Sequence, residues 1–165
     1  MKNGLKHTGY PSAQELASAP GIPSLDDLNK KPLAVIECFE CIPCNPCEKS
    51  CPFGAITIGE TISNKPTLNP EKCKGCGLCI SHCPGLAIFV IDMNFTPKTA
   101  LVKIPYEFFP IPKVGTEVQC LNRLGEVITL GKIHLAQITP NYNKTYVIEI
   151  ETPKEFAMEV RTIKV

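Results

Sequence analysis

Eight of the ten cysteines in this 165-residue chain fall into two runs with the same internal spacing, and each run ends in Cys-Pro. The first run is Cys41, Cys44, Cys47 and Cys51, and the second is Cys73, Cys76, Cys79 and Cys83. Thiolate is a soft, anionic ligand that suits zinc, cuprous copper and iron–sulfur clusters. Zinc sites usually pair two Cys-x-x-Cys units that lie a dozen or more residues apart. Three cysteines at three-residue steps, with a fourth four residues later, instead favour iron–sulfur chemistry.

The two runs belong to a longer internal repeat with an offset of 32 positions. The register continues beyond the cysteines, where the same residue types recur at Pro52 and Pro84, Ala55 and Ala87, and Ile56 and Ile88. Repeated segments tend to fold as equivalent structural units. We therefore expect two similar halves, related by a pseudo-twofold axis, with the cysteines in loops and short helical turns between strands.

The doubled Cys-x-x-Cys-x-x-Cys-x-x-x-Cys-Pro motif resembles that of the two-cluster bacterial-type ferredoxins, over about residues 33–92. The resemblance implies two [4Fe–4S] clusters, each held by three cysteines of one run and by the last cysteine of the other. Carried onto this chain, the first cluster would be held by Cys41, Cys44, Cys47 and Cys83. The second would be held by Cys73, Cys76, Cys79 and Cys51.

A wider stretch, VIECFECIPCNPCEKSCP, together with the tail FAMEVRTIKV, is similar to ferredoxin-like subunits of flavin-dependent amino-acid or amine dehydrogenases. These are multi-subunit complexes of the proline or hydroxyproline type, found in anaerobes and archaea. The resemblance implies that the chain relays electrons beside flavoprotein subunits and is no enzyme on its own. The sequence has neither a P-loop nor G-x-G-x-x-G, so FAD or FMN is expected in the partner subunits only.

Two other functions remain open at this stage: a free, diffusible ferredoxin, and a structural module in which a metal holds a binding domain together. The net charge of +1 favours a fixed subunit over a diffusible carrier, because strong negative charge would steer a carrier to its partners. No nucleophile–base arrangement is evident, so no catalytic residue is predicted.

Two cysteines lie outside the repeat. Cys120 alternates with Val118 in a strand-like run, so it is expected to be a small buried hydrophobe. Cys38 stands one three-residue step before Cys41, so a register that uses Cys38 as the ligand is conceivable. The spacing to Cys-Pro and the offset of 32 both favour Cys41. Cys38 is then a buried thiol near the cluster or a spare ligand.

The loops between the ligands differ between the two runs. The second carries Gly75 and Gly77, which let backbone N–H groups approach cluster sulfurs, whereas the first carries two prolines (CIPCNPC). Lys72 and Lys74 flank the second run and Glu48 the first. Hydrogen bonds and positive charge favour the reduced cluster. The cluster of the first run is therefore expected to have the lower potential.

The predicted fold class is α+β: a two-cluster ferredoxin-like domain with a pseudo-twofold repeat, followed by a small β-barrel or meander. Strand-like runs after Gly115 are separated by Gly125, Gly131, Pro140 and Pro153, which predict turns. Ser12 with Glu15 and Ser24 with Asp27 predict the starts of two short helices. The predicted segments are a helical arm at 1–32, the cluster domain at 33–92, a proline-rich connection at 93–114 and the β domain at 115–165.

Composition indicates where the protein is located and which classes of partner it does not bind. Acidic and basic residues are interspersed, which argues against nucleic-acid binding and against a polybasic membrane anchor. The first twenty residues lack a signal-peptide core, and the apolar run at 86–91 is too short to span a bilayer. A cytoplasmic location without membrane insertion is therefore expected, where disulfides are rare and ten cysteines point to metal or redox chemistry.

Overall fold

The computed structural model describes residues 4–138 and 144–164, and a seven-stranded antiparallel sheet dominates it. Its strands are β1 (Leu33–Ile36), β4 (Ile88–Asp92), β5 (Thr99–Tyr106), β6 (Glu117–Leu121), β7 (Val127–Gln137), β8 (Tyr146–Pro153) and β9 (Thr162–Lys164). They lie in the order β1-β4-β5-β8-β7-β6-β9. Two further short strands, β2 (Ile56–Thr57) and β3 (Thr67–Leu68), pair with each other.

In the described ranges, five short α-helices lie outside the sheet: α1 (Leu5–Thr8), α2 (Ala13–Ala17), α3 (Leu25–Leu28), α4 (Pro46–Ser50) and α5 (Leu78–His82). A 3-10 turn, Lys154–Phe156, follows β8. Both predicted caps are confirmed. Ser12 and Glu15 form a complete capping box at the start of α2, and the Ser24 hydroxyl accepts the Asp27 N–H at 3.1 Å. Within the described ranges, no helix combines the length and hydropathy needed to cross a membrane.

The internal repeat is visible in the backbone. Helices α4 and α5 occupy positions 32 residues apart and pack against each other, and β2 and β4 begin at equivalent isoleucines. The hydrogen bonds repeat as well: the Ala55 N–H donates to the Cys51 sulfur at 3.3 Å, and the Ala87 N–H donates to the Cys83 sulfur at 3.5 Å. Each half therefore places its Cys-Pro corner in the same local geometry.

The sheet runs without a break from the cysteine-rich part of the chain into the C-terminal part. Strand β5 pairs with β4 on one side and with β8 on the other, and it lies inside the predicted connection at 93–114. Buried side chains of both parts, from Val35 and Ile91 to Ile148 and Ile163, form one apolar core. The structure is thus a mixture of helices and a large antiparallel sheet, and the ferredoxin-like fold and the segment boundaries stay predictions.

Gly131 was predicted to lie in a turn, and this prediction is wrong. It lies inside β7, opposite Val118 of β6. A Cβ at this position would lie 2.6 Å from the Cys120 sulfur and 2.7 Å from a methyl group of Ile150. The glycine therefore allows close packing of neighbouring strands, not a turn. Pro153 is the last residue of β8. Gly125, with φ of +77°, does lie in the turn between β6 and β7. The predicted turn at Pro140 lies outside the described residues.

Replacing Gly131 with alanine should therefore destabilise the fold. The added methyl group must displace Cys120 or Ile150, and overpacking of this kind costs about 1–3 kcal/mol. The matched control is Gly85→Ala, because no atom lies within 4 Å of a Cβ built there. Denaturant unfolding of both variants is the measurement. Equal stability of the two variants would contradict the packing argument.

A buried ion-pair network ties the end of β1 to the C-terminal strands. The Glu37 carboxylate accepts hydrogen bonds at 2.6–2.9 Å from the guanidinium groups of Arg123 and Arg161. The side chains of Glu37 and Arg161 are 8% and 6% exposed. Arg161 also lies 4.6 Å above the Phe89 ring, and Arg123 reaches Glu159 at 2.7 Å. Burial alone raises the pKa of Glu37, but the arginine hydrogen bonds and charges outweigh it and hold this pKa below its ordinary value of 4.5.

The Glu37→Gln variant should lose about 3–5 kcal/mol of stability, because two buried guanidinium groups then lack a counter-charge. The depressed pKa gives the pH dependence. The stabilisation by Glu37 is fully present above pH 4.5 and is lost as the pH falls through the lower pKa of the folded state. Unfolding of wild type and variant at a series of pH values should show a constant gap near neutrality that narrows in acid. A gap independent of pH would contradict this interpretation.

Candidate iron–sulfur sites

Four cysteines line an open cavity of about 320 Å³ between β1, α5 and the second cysteine run. They are Cys51, Cys73, Cys76 and Cys79, the four that the ferredoxin resemblance assigns to the second cluster. The rest of the lining is largely apolar and includes Ala34 of β1 and Val90 of β4. The structure thus brings together three thiols of one run and the last thiol of the other.

A second cavity, of about 380 Å³, lies at the equivalent place in the other half. Its four cysteines are Cys38, Cys44, Cys47 and Cys83. Three of them belong to the predicted ligands of the first cluster, but Cys38 takes part in place of Cys41. Cys41 is exposed and does not line the cavity.

The second cysteine run depends on glycine. Gly75 has a φ of +62°, and a Cβ there would lie 2.7 Å from the Pro32 side chain and 2.9 Å from the Pro32 carbonyl oxygen. Gly77 precedes α5 with a φ of +87°. Both values fall in the left-handed region that favours glycine. The loop can therefore curl tightly around its cavity and bring Cys73 and Cys79 inward, where both are buried.

Backbone N–H groups point at several of the sulfurs. Ala34 of β1 donates to Cys73 at 3.5 Å and Ala55 donates to Cys51 at 3.3 Å, so two thiols of the second site receive hydrogen bonds. In the first site Ala87 donates to Cys83 at 3.5 Å. Such bonds favour the thiolate and the more negative state of a cluster bound to it.

Burial raises the pKa of some of the thiols that line the two cavities. It raises the pKa of Cys47 to about 11, with the nearby Cys83 adding to the effect. Burial likewise raises the pKa of Cys79, and the thiols of Cys73 and Cys76 add to the effect. Cysteine binds metal as the thiolate, so occupation of either site must release protons.

Charged side chains near the cavities differ in sign. Lys74 lines the second cavity and Glu40 the first, so the predicted contrast in charge is present at the linings themselves. Glu48, which the sequence placed beside the first cluster, accepts the Ile58 N–H at 3.1 Å. Sequence reasoning missed Glu40.

Cys120 and His82 do not line either cysteine cavity. Cys120 is fully buried in β6, as predicted. The His82 ring nitrogen lies 2.9 Å from the Leu78 carbonyl oxygen of its own helix. Within residues 4–138 and 144–164, no three His, Cys, Asp or Glu side chains converge on a point where they could hold a single metal ion.

The residues present fit iron–sulfur clusters. Each site offers four thiols around one cavity, and four thiolates are the donor set that a [4Fe–4S] cluster takes. The apolar linings provide the low-dielectric surroundings that help to set cluster potentials. When bound, a [4Fe–4S] cluster takes up and releases single electrons.

Comparison with protein families agrees with this site. The family described as "4Fe-4S dicluster domain" matches residues 40–87. The chain contains a ferredoxin-type dicluster domain. Iron–sulfur binding and electron transfer are therefore the chemistry of this part of the chain, and the prediction of a two-cluster ferredoxin domain is confirmed.

One relative gives a further local match. It is one of the subunits of the Na(+)-translocating ferredoxin:NAD(+) oxidoreductase complex from Acetobacterium woodii, and it is 53% identical over 34 residues. The match covers 21% of this chain and 10% of the relative. It therefore concerns a short segment, and the chain corresponds to a small fraction of that protein. No solved structure matches the chain.

The residues that line the two cavities support the predicted order of the cluster potentials. The site of Cys44, Cys47 and Cys83 has Glu40 in its lining, whereas the other has Lys74 and hydrogen bonds from two N–H groups. We predict that the first site holds the cluster of lower potential. An anaerobic redox titration with resolved spectra measures both.

Substitution of one lysine separates the effect of charge from that of solvent access. Lys74→Gln should lower the potential of the second cluster by about 10–40 mV, the equivalent of about 0.2–1 kcal/mol for one electron. Lys72→Gln is the matched control, because Lys72 is exposed and does not line the cavity. The reverse order of potentials, or equal shifts in both variants, would refute this explanation.

Proposed function

We propose that this protein is the electron-transfer subunit of a flavin-dependent amino-acid or amine dehydrogenase complex. It would pass single electrons through two [4Fe–4S] clusters. The observation that carries the electron-transfer part of the proposal is the pair of cavities, each lined by four cysteines, on a chain with a dicluster domain. The reaction with the substrate and the flavin would belong to partner subunits.

The two cavities lie side by side, which suits electron passage from one cluster to the other. Strand β1 contributes to both, with Ala34 lining the second cavity and Ile36 the first. Helices α4 and α5, which carry Cys47 and Cys79, pack against each other. A flavin that releases two electrons one at a time could therefore be served by two adjacent one-electron carriers.

Exposed apolar side chains at the cavity linings support contact with a partner protein. Ile42 lines the first cavity and is 55% exposed, and Phe53 lines the second and is 44% exposed. Aromatic and aliphatic residues at an otherwise polar surface are typical of contact sites. Electrons could thus enter or leave where a partner covers either residue.

The hetero-oligomer and the flavin-dependent dehydrogenase are supported by different observations. The relative from Acetobacterium woodii belongs, by its name, to an oxidoreductase complex, which favours a hetero-oligomer here. The flavin-dependent dehydrogenase rests on the resemblance of the cysteine-rich stretch and the tail FAMEVRTIKV. The long arm and the large sheet, which exceed a minimal ferredoxin, favour a fixed subunit.

Anaerobic purification of the tagged protein from its native cells tests the proposal. We expect flavoprotein subunits to co-purify, with bound flavin, iron and sulfide. Addition of an amino acid or amine should then bleach the iron–sulfur absorption. A lone monomer that exchanges electrons with many partners would favour a diffusible ferredoxin. Zinc without iron would favour a structural module.

Two substitutions link the co-purification to the proposed surface. Phe53→Ser should reduce recovery of the flavoprotein subunits while leaving the iron content unchanged. Leu130→Ser is the matched control, because Leu130 is 53% exposed on β7, which lines neither cysteine cavity. Equal recovery with both variants would exclude Phe53 from the contact.

A further inference from the structure

We propose that Cys38, not Cys41, is the fourth ligand of the first cluster, together with Cys44, Cys47 and Cys83. Cys41 is then an exposed thiol beside the cluster. This inference rests on cluster binding by the dicluster domain and is independent of any partner complex. The family match begins at residue 40, so it does not include Cys38.

The cavity itself gives the first argument. Cys38, Cys44, Cys47 and Cys83 line it, so it has the same complement of four thiols as the second cavity. Cys38 is half-buried and packs against the core, whereas Cys41 is exposed.

The internal repeat supplies a physical reason for the exchange. Cys41 corresponds to Cys73, which is buried, lines its cavity and accepts the Ala34 N–H at 3.5 Å. The residue two positions after Cys73 is Gly75, with a φ of +62°. Its counterpart in the first run is Pro43, whose ring fixes φ near −65°. The first run therefore cannot follow the path that brings Cys73 inward.

A second difference between the runs has the same effect. Gly77, with φ of +87°, precedes α5, whereas its counterpart Asn45 precedes α4 with φ of −140°. The two positions with positive φ in the second loop have negative φ in the first. The first loop therefore follows a different path, and Cys41 at its start does not line the cavity.

Cys38 is held in place by its neighbours. The preceding residue, Glu37, donates its N–H to the Ala87 carbonyl oxygen at 2.8 Å, and its carboxylate is fixed by Arg123 and Arg161. Ala87 in turn donates to the Cys83 sulfur at 3.5 Å. Cys38 and Cys83 are therefore positioned by one connected set of bonds before any cluster binds. A ligand held in this way loses little conformational freedom on binding.

Alkylation of the native holoprotein tests the assignment directly. Anaerobic iodoacetamide treatment followed by mass spectrometry should label Cys41 and leave Cys38 and Cys44 protected. Removal of iron with a chelator should then expose Cys38 and Cys44 to the reagent, which separates ligation from simple burial. Cys120, buried in the sheet, serves as the thiol that stays unlabelled in both states. Labelling of Cys38 with protection of Cys41 would overturn the proposal.

Serine variants give an independent readout. Cys38→Ser should lose about half of the iron, because one of two [4Fe–4S] clusters is no longer fully ligated. Cys41→Ser should keep the full iron content and the spectra of both clusters. Cys44→Ser is the positive control for loss of the first cluster, and persistence of the second cluster's spectrum shows that each variant has folded. Loss of iron in Cys41→Ser with full iron in Cys38→Ser would refute the assignment.

Discussion

The buried contact between Glu37 and the two arginines is the interaction on which the arrangement of both sites depends. Glu37 is the residue directly after β1, and residues of β1 line both cysteine cavities. Arg123 follows β6 and Arg161 precedes β9, so the contact joins the cysteine-rich half to the far end of the same sheet. A buried carboxylate without these partners would be costly. The C-terminal strands therefore help to hold β1 in place beside the two cysteine cavities.

The repeat explains why two sites exist, and its departures explain why they differ. Equivalent helices, equivalent Cys-Pro corners and equivalent N–H donors to Cys51 and Cys83 give each half the same frame. Within that frame the second loop uses glycine and the first uses proline, and the two linings carry charges of opposite sign. Two clusters bound in such sites would have different surroundings, which is the basis of the predicted difference between their potentials.

Local features of the fold could be read from the sequence, whereas long-range contacts could not. The caps at Ser12 and Ser24 and the burial of Cys120 follow from short patterns, and the structure contains all three. The use of Gly131 depends on Cys120 and Ile150 across neighbouring strands, so a glycine that ends a run of apolar residues looks like a turn. Glu37 meets Arg123 and Arg161 across 86 and 124 residues, a separation at which no periodicity gives a signal.

In the candidate sites too, local spacing predicts some features, whereas others depend on the three-dimensional path of the chain. Spacing identifies the eight motif cysteines, and the resemblance to two-cluster ferredoxins implies the exchange of the last one. Spacing does not report the backbone torsion between them. Pro43 and Gly75 occupy equivalent positions, yet they impose opposite signs of φ, so two loops with the same ligand spacing present their first cysteine differently. A motif therefore defines which residue types can bind a cluster, and the residues between the ligands decide which thiols reach it.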